Sequence, residues 1–403
     1  MRRALAAAVL VGLLCAEPYP ASARPGWKRR IDALAAGRSI GIAIVQDGRF
    51  VYRWASRRRR VPASNQKLLT AMALFDVLGP GHRITTTVAA RRVRDGVVRG
   101  PLWVLGRGDP AIATKGRFAR ALPLPVTRVR RLARAITGAG VRRIDGRVVG
   151  SRAYFRHDWH APGWRPHYRR LYIPLPSALT FNGNVHARRH TATPERHLAR
   201  ALTKVLRSEG VRVAGRPRAG YPRAKLSRLG RVRSRPLGRL VRFMTRTSSN
   251  FFAEVLGKRL AVARWGRPGT IAGAARAISG WAAAHGVVVR ARDASGLSYG
   301  NRISAAGLVR LLNRAARKPW GRRFRRGLAA GGQGTLEHRL RGVRVRAKTG
   351  TLLGVSALSG WVWRRRARTW ATFSILSRGL DKDTASSIED RIVRVVARSG
   401  RPA

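Results

Sequence analysis

Lysines and arginines number 84 against 17 aspartates and glutamates, which leaves this 403-residue chain with a formal charge of +67 at pH 7. Any compact fold has to spread those cations over its exterior, because like charges brought together oppose collapse. With 44% apolar residues the chain has material for an interior, and its length allows two domains with cores of their own. The arginines are scattered over every segment rather than gathered on one face. That scatter reads as a compositional drift toward arginine, while the excess charge itself calls for anionic surroundings.

The N-terminus indicates where those surroundings lie. Met1-Arg2-Arg3, an apolar run over 4–16 and then Ala21-Ser22-Ala23 make the charged, apolar and small-residue zones of a secretory signal peptide, with cleavage expected after Ala23. The chain is expected to be exported, to the periplasm or the cell wall. The apolar run falls short of the roughly 18 to 20 residues of a membrane helix, and no later stretch reaches that length. Cys15, the one cysteine, lies inside the signal, so no disulfide is expected within a mature chain. Outside the cell, anionic wall polymers or an anionic membrane surface would meet the positive charge, and no specific nucleic-acid partner is expected.

Nine of the 84 basic residues are lysines and the remaining 75 are arginines. In a chain so rich in arginine, a retained lysine marks places where the group has to lose a proton, which a guanidinium does not do in proteins. Lys67 and Lys348 fall where that matters.

Strand-forming residues over 40–46 and 50–54 flank Asp47-Gly48, a dipeptide suited to a tight turn, and predict an antiparallel hairpin. The basic run 57–60 leads into Ser64-Asn65-Gln66-Lys67, after which Leu68, Leu69, Met72, Phe75 and Leu78 recur at helical spacing until Gly79-Pro80. Between about 85 and 235 the texture changes to short strands, a helix over 129–137 and turns at 108–110 and 182–184. Helices are expected over 237–244, past Asn250, and over 270–285 and 384–398, with strands over 343–347, 355–363 and 369–376. Residues 24–84 and 236–403 would then form one domain, an antiparallel sheet covered by helices. The whole chain would be α+β, with an inserted α/β domain at 85–235.

Ser64 and Lys67, three residues apart at a helix start, lie on one face within hydrogen-bonding reach. A serine hydroxyl is a weak nucleophile until a base takes its proton. A lysine serves as that base only if burial or neighbouring cations bring its pKa from about 10.4 towards neutrality. Alone, the pair is also what an N-capping serine beside a solvated lysine looks like. Ser248-Ser249-Asn250 adds a second hydroxyl and a carboxamide, which suit proton transfer to a leaving amine and a hold on a substrate peptide group. Lys348-Thr349-Gly350-Thr351, at the expected end of a strand, adds a cation for a carboxylate and a glycine that lets backbone approach. The N–H groups of Thr351 and Ser64 would make a two-donor oxyanion hole, where losing one donor costs about 3 kcal/mol.

Ser-x-x-Lys, Ser-x-Asn and Lys-Thr-Gly in this order are the motif set of penicillin-binding proteins and class A β-lactamases. Leu78-Gly79-Pro80, Gly108-Asp109-Pro110, Ala161-Pro162-Gly163-Trp164, Ser177-Ala178-Leu179, Asp293-Ala294-Ser295-Gly296-Leu297-Ser298 and Gly334-Thr335-Leu336 accompany it. In all of these the chain resembles the class C low-molecular-mass penicillin-binding proteins, D-alanyl-D-alanine carboxypeptidases and endopeptidases, over nearly its whole mature length. The resemblance implies a penicillin-binding/serine β-lactamase-like fold. It implies a hydrolase that cleaves peptidoglycan stem peptides through an acyl-Ser64 intermediate, takes β-lactam antibiotics as covalent inhibitors, and needs no cofactor or metal. By the same resemblance Ser64 is the nucleophile, Lys67 its base, Ser248 a proton relay, Asn250 a substrate ligand, and Lys348 with Thr349 the carboxylate-binding pair. Two departures stand out. The family's further small domain has no room between Asn184 and the helix start at Thr193-Pro194-Glu195, so the insert is expected to be shorter than usual. Arg165-Pro166-His167-Tyr168 stands where many relatives carry an acidic residue after the Gly-Trp pair.

Other readings are a serine β-lactamase and a catalytically inactive, basic wall-binding protein. The first shares Ser64, Lys67 and Lys348 but deacylates rapidly, for which class A enzymes use a glutamate that the sequence does not single out here. The intact motifs oppose the second. Gly296-Leu297-Ser298-Tyr299-Gly300 matches the nucleophile elbow of α/β-hydrolases, but the only later histidine is His338 and no aspartate lies between it and Ser298. His157 and His160 lack the companions of a zinc site, and Arg107-Gly108-Asp109 is expected by chance in a chain this rich in arginine and glycine.

Overall fold

The computed structural model describes residues 25–400. The expected signal peptide, its cleavage point and Cys15 lie outside the described residues.

Strands Ile40–Gln46 and Arg49–Trp54 pair around Asp47-Gly48, and both turn residues have positive φ, as a two-residue hairpin turn demands. Hydrogen bonding extends this pair into a six-stranded sheet, in the order Ala329–Ala330, Val345–Leu352, Val355–Arg364, Thr369–Arg378, Ile40–Gln46, Arg49–Trp54, with every neighbour antiparallel. The two ends of the chain thus complete one sheet. Ile40–Gln46 is buried along its whole length and Val355–Arg364 nearly so, because helices cover both faces. Gly26–Ala35 and Lys382–Arg398 close one face through Ile31, Ile42, Ile44, Ile388, Ile392 and Val396. Ala305–Ala316 lies against the other face, within a core that the Gln66–Leu78, Leu237–Arg246, Asn250–Trp265 and Ile271–Ala284 helices share through Met72, Leu240, Phe252, Ile278 and Leu312.

Two details depart from the sequence expectation. Ala305–Ala316 is not among the expected helices, although Ser304 caps it by accepting the N–H of Gly307 at 3.0 Å. The strand expected over 343–347 runs on to Leu352, its ladder continuing through Thr351 opposite Ser356. Lys348-Thr349-Gly350-Thr351 therefore lies inside a strand rather than at its end.

Residues 85–235 supply none of the six strands. Their five-stranded sheet runs Arg218–Gly220, Val148–Ser151, Leu102–Leu105, Thr85–Ala90, Ser227–Arg233 and mixes parallel with antiparallel pairs. Helices Val129–Thr137 and Pro194–Ser208 pack on it around Val104, Leu132, Ile136, Leu198 and Leu202. Between Asn184 and Pro194 the chain makes a hairpin of Val185–His186 and Arg189–His190. The stretch 154–178 leaves this second core, and Phe155, Trp164, Tyr168, Ile173 and Ala178 join the first.

That junction is electrostatic as well as apolar. Lys258, wholly buried, donates to the carbonyls of Arg156 (2.9 Å) and Asp158 (3.1 Å) and pairs with Asp158 Oδ1 at 2.6 Å. Asp158 Oδ2 accepts the N–H of Ile271 at 2.7 Å, at the start of the next helix. Removing one partner of a buried pair leaves the other charge uncompensated, at about 3 to 5 kcal/mol. Asp158→Ala is accordingly expected to destabilise the protein by about 3 kcal/mol in denaturant unfolding, and adding Lys258→Met to restore part of the loss. An unchanged midpoint for Asp158→Ala would show that the pair does not anchor this stretch.

Candidate active site

Ser64 sits on a 3-10 turn, Ala63–Asn65, that runs directly into the Gln66–Leu78 helix. Burial of Leu68, Leu69, Met72 and Phe75 fixes that helix in the core and carries Lys67 inward with it. Asn65 ties the turn to the sheet: its Nδ2 donates to Ser359 Oγ at 2.8 Å, which in turn contacts Ser374 Oγ at 2.9 Å. On the opposite side Gly296, left-handed at φ +88°, comes so close to the Ala63 carbonyl that no Cβ fits between them.

Lys67 Nζ has three partners: Ser64 Oγ at 3.0 Å, Asn250 Oδ1 at 2.8 Å and the Ser295 carbonyl at 2.6 Å. The side chain is wholly buried, and burial brings its pKa down to about 7 against the opposing pull of Asp293 and Glu254. Asn250 opens the Asn250–Trp265 helix, whose N-terminus is capped by Ser249 Oγ accepting from the Phe252 N–H at 3.3 Å. Its Nδ2 donates to the Tyr172 carbonyl at 3.3 Å. Ser248 precedes it with φ +58°, half-buried, and its hydroxyl makes no hydrogen bond among the described residues.

Ser295 belongs to a loop, 293–301, organised by two buried acids. The Asp293 carboxylate accepts from the N–H groups of Gly296 (2.8 Å) and Ser298 (2.7 Å), the Trp164 indole (2.7 Å) and the Asn301 amide (2.8 Å). Glu254 Oε1 accepts from the N–H groups of Ala294 (3.0 Å) and Ser295 (2.7 Å), and burial pushes this carboxyl up to about 8. Glu254 carries no motif of its own in the sequence. The available signals were the scarcity of acids and its position one turn beyond Asn250 in an otherwise apolar stretch. Ser298, the serine of the elbow-like motif, donates to the Pro162 carbonyl and accepts from the Gly300 N–H at 3.0 Å. Its hydroxyl is consumed in holding the loop.

Lys348 is wholly buried, and its Nζ donates to the Thr349 carbonyl at 2.7 Å. No carboxylate pairs with it among the described residues. Burial and the nearby charge of Lys67 hold its pKa well below the ordinary lysine range. Thr349 is half-buried and Thr351 exposed. A Cβ on Gly350 would lie 2.8 Å from the Pro62 carbonyl and 3.0 Å from the Ser64 nitrogen, so this strand passes directly beside the Ser64 N–H. On its outer side the ladder with Ala329–Ala330 stops at Ala347, which leaves the edge at 348–351 without a strand partner among the described residues. Three distant parts of the chain thus bring Ser64, Lys67, Asn250 and the 348–351 segment together, with Ser248 adjoining. No three His, Cys, Asp or Glu side chains gather as a metal site among the described residues.

A serine joined to a buried lysine amine, beside a strand carrying a second buried lysine on a helix-covered sheet, defines a fold and site of the penicillin-binding and serine β-lactamase class. Over residues 30–192 and 183–399 the chain matches the D-Ala-D-Ala carboxypeptidase 3 (S13) family, and it belongs to that family. It is 28% identical to the D-alanyl-D-alanine carboxypeptidase of Actinomadura sp. (strain R39), over 92% of this chain and 84% of that protein. The fold is similar to penicillin binding protein 4 from Haemophilus influenzae, with a TM-score of 0.78 and 18% identity over 92% of this chain and 99% of that one. That protein complexed with a β-lactam gives 0.71 and 17% over the same shares.

Gly350→Ala is expected to force the strand away from the Ser64 N–H and to slow covalent labelling by a reporter penicillin about 100-fold. Labelling at the unaltered rate would show that this approach does not matter.

Proposed function

We propose that Ser64 attacks the D-alanyl-D-alanine end of a peptidoglycan stem peptide with Lys67 as its base, and that water then frees the acyl group, the reaction of a serine-type carboxypeptidase. The three partners of Lys67 Nζ carry this conclusion. A neutral amine has two N–H groups and one lone pair. With the oxygens of Asn250 and Ser295 taking the two hydrogens, the lone pair is left for the proton of Ser64, and a pKa of about 7 keeps much of the amine unprotonated at neutral pH.

As Lys67 takes the proton, Ser64 Oγ bonds to the carbonyl carbon of the penultimate D-alanine. The charge that develops on the carbonyl oxygen is held by the N–H groups of Ser64 and Thr351. Collapse breaks the C–N bond, and the proton on Lys67 passes through the Ser248 hydroxyl to the departing D-alanine amine. Water then adds to the ester, loses its proton to Lys67, and Ser64 leaves with a proton restored. Lys348 and Thr349 take the terminal carboxylate, because a buried amine whose charge is disfavoured for want of a counter-ion becomes a stable ammonium once an anion arrives beside it. The free edge at 348–351 suits an extended peptide, and the Asn250 amide offers it a donor. No cofactor or metal enters the cycle. β-Lactams enter it as acylating inhibitors of Ser64. Glu254 is closed off from solvent, with one oxygen on two N–H groups, which disfavours a deacylating base and with it the β-lactamase reading.

The proposal extends to location: an exported protein, periplasmic or wall-associated, retained by anionic wall polymers or an anionic membrane surface. Support comes from the charge of +67. A cavity of about 510 Å³ adds to it, with Arg83, Arg235, Arg239, Arg242, Arg246 and Arg323 in its lining and no acidic side chain. Salt should release such a protein from isolated envelopes, and a protein already free at low salt would end the idea.

Lys67→Arg should abolish penicillin labelling of Ser64 although the charge is kept, because a guanidinium does not give up its proton. Wild-type labelling should rise with pH through about 7 as Lys67 deprotonates and fall about tenfold per unit below it. Defined stem peptides should lose one D-alanine by mass. Wild-type labelling rates in Lys67→Arg, or a profile flat over about pH 5 to 9, would remove Lys67 as the base.

A further inference from the structure

The role of Lys67 raises the question of what keeps its amine neutral and aimed. Asn250 and Glu254 lie one helical turn apart, so their side chains project from the same face of the Asn250–Trp265 helix. Asn250 touches Lys67 directly. Glu254 reaches it through Ser295, which is held from both ends: its N–H donates to Glu254 Oε1 at 2.7 Å and its carbonyl accepts from Lys67 Nζ at 2.6 Å. The next residue back is tied in as well, the Ala294 N–H to Glu254 at 3.0 Å and the Ala294 carbonyl to Thr70 Oγ1 at 2.7 Å, one helical turn below Lys67.

Glu254 is wholly buried and its second oxygen, Oε2, has no hydrogen-bond partner among the described residues. A bare carboxylate oxygen in that position is expensive, whereas a carboxylic acid places its proton there and leaves Oε1 as the acceptor of both N–H groups. The charged groups facing Glu254 are Lys67, Asp293 and Lys258, and Lys348 also faces Lys67. Lys258 is already engaged by Asp158. No direct hydrogen bond joins Glu254 to Lys67 to favour an ion pair. An amine beside an acid and an ammonium beside a carboxylate carry the same net charge, and a dry interior with no contact between the two groups favours the neutral form.

We propose that Glu254 is a positioning residue for acylation: as a protonated acid it fixes Ser295 so that the Ser295 carbonyl takes one N–H of Lys67, and its neutrality keeps the Lys67 amine unprotonated. The proposal rests on Lys67 acting as the base of Ser64. It differs from a purely structural brace because the protonation of Glu254, as well as its shape, reaches the nucleophile.

The test is the pH profile of penicillin labelling on the full-length protein and two variants. Glu254→Gln preserves an acceptor for both N–H groups and stays neutral at every pH. Its labelling should persist with the acid limb of the wild type, because a neutral amide replaces an acid that is already neutral there, whereas removing a carboxylate would displace that limb to lower pH. Glu254→Ala releases Ser295 and should lower labelling about 100-fold across the whole range. A Glu254→Gln acid limb displaced to lower pH by about half a unit or more, which a charged Glu254 requires, or wild-type rates in Glu254→Ala, would overturn the proposal. If Glu254→Ala does not fold, Glu254→Gln decides alone. Failure of the wild-type protein to label at Ser64 would overturn the underlying reaction as well, whereas normal wild-type labelling with a displaced Glu254→Gln acid limb overturns only the role of Glu254.

Discussion

Taking the amine of Lys67 out of water removes the solvation that would hold it as an ammonium, and most of the site is arranged around that loss. The Gln66–Leu78 helix supplies none of the amine's partners, and the turn before it offers only Ser64. The remaining partners come from elsewhere: a side-chain oxygen from the start of the Asn250–Trp265 helix and a backbone carbonyl from the 293–301 loop. Lys348 adds a second buried amine, which disfavours charge on both. An arginine in place of Lys67 would stay charged, and the contrast between nine lysines and 75 arginines gains its meaning there.

The few acids are placed with the same economy. Asp109, Glu195, Glu254, Asp293 and Glu389 are all buried in a chain whose exterior is overwhelmingly cationic. Each gathers polar groups that the backbone or a neighbour would leave unmet. Asp109 takes the Ala111 N–H and the Thr127 hydroxyl, and Glu389 pairs with Arg339 and accepts from Ser356. Asp293 is the most consequential of them, since the loop it shapes carries Ser295 to Lys67 and presses Gly296 against the residue before the nucleophile. These five acids build the interior beneath a mostly cationic exterior.

Much of this was legible from the residues. The Asp47-Gly48 hairpin, the helix after Ser64, the helices around Asn250 and 270–285, and the order of the three motifs all follow from local patterns, which report periodicity and turn chemistry. What escaped depends on contacts between distant segments. Ser295 acts through its carbonyl, and no side-chain pattern marks a backbone group. Glu254 looks like an ordinary helix residue until the loop folds onto it. The strand through Lys348 extends past its apolar stretch because pairing with Val355–Arg364 sustains it. The 154–178 stretch crosses into the first core through packing and through the Lys258–Asp158 pair, both of them contacts between distant segments.

The central claim is that the Lys67 amine loses its proton near neutrality inside the folded protein. With only nine lysines in the chain, carbon-13 labelling of the lysine side chains gives few enough resonances for Lys67 to be assigned by its absence in Lys67→Arg and titrated by NMR. The account predicts a midpoint at about 7 for this one resonance. A Lys67 resonance that stays in its ammonium position until about pH 10, as for a solvated lysine, would contradict it.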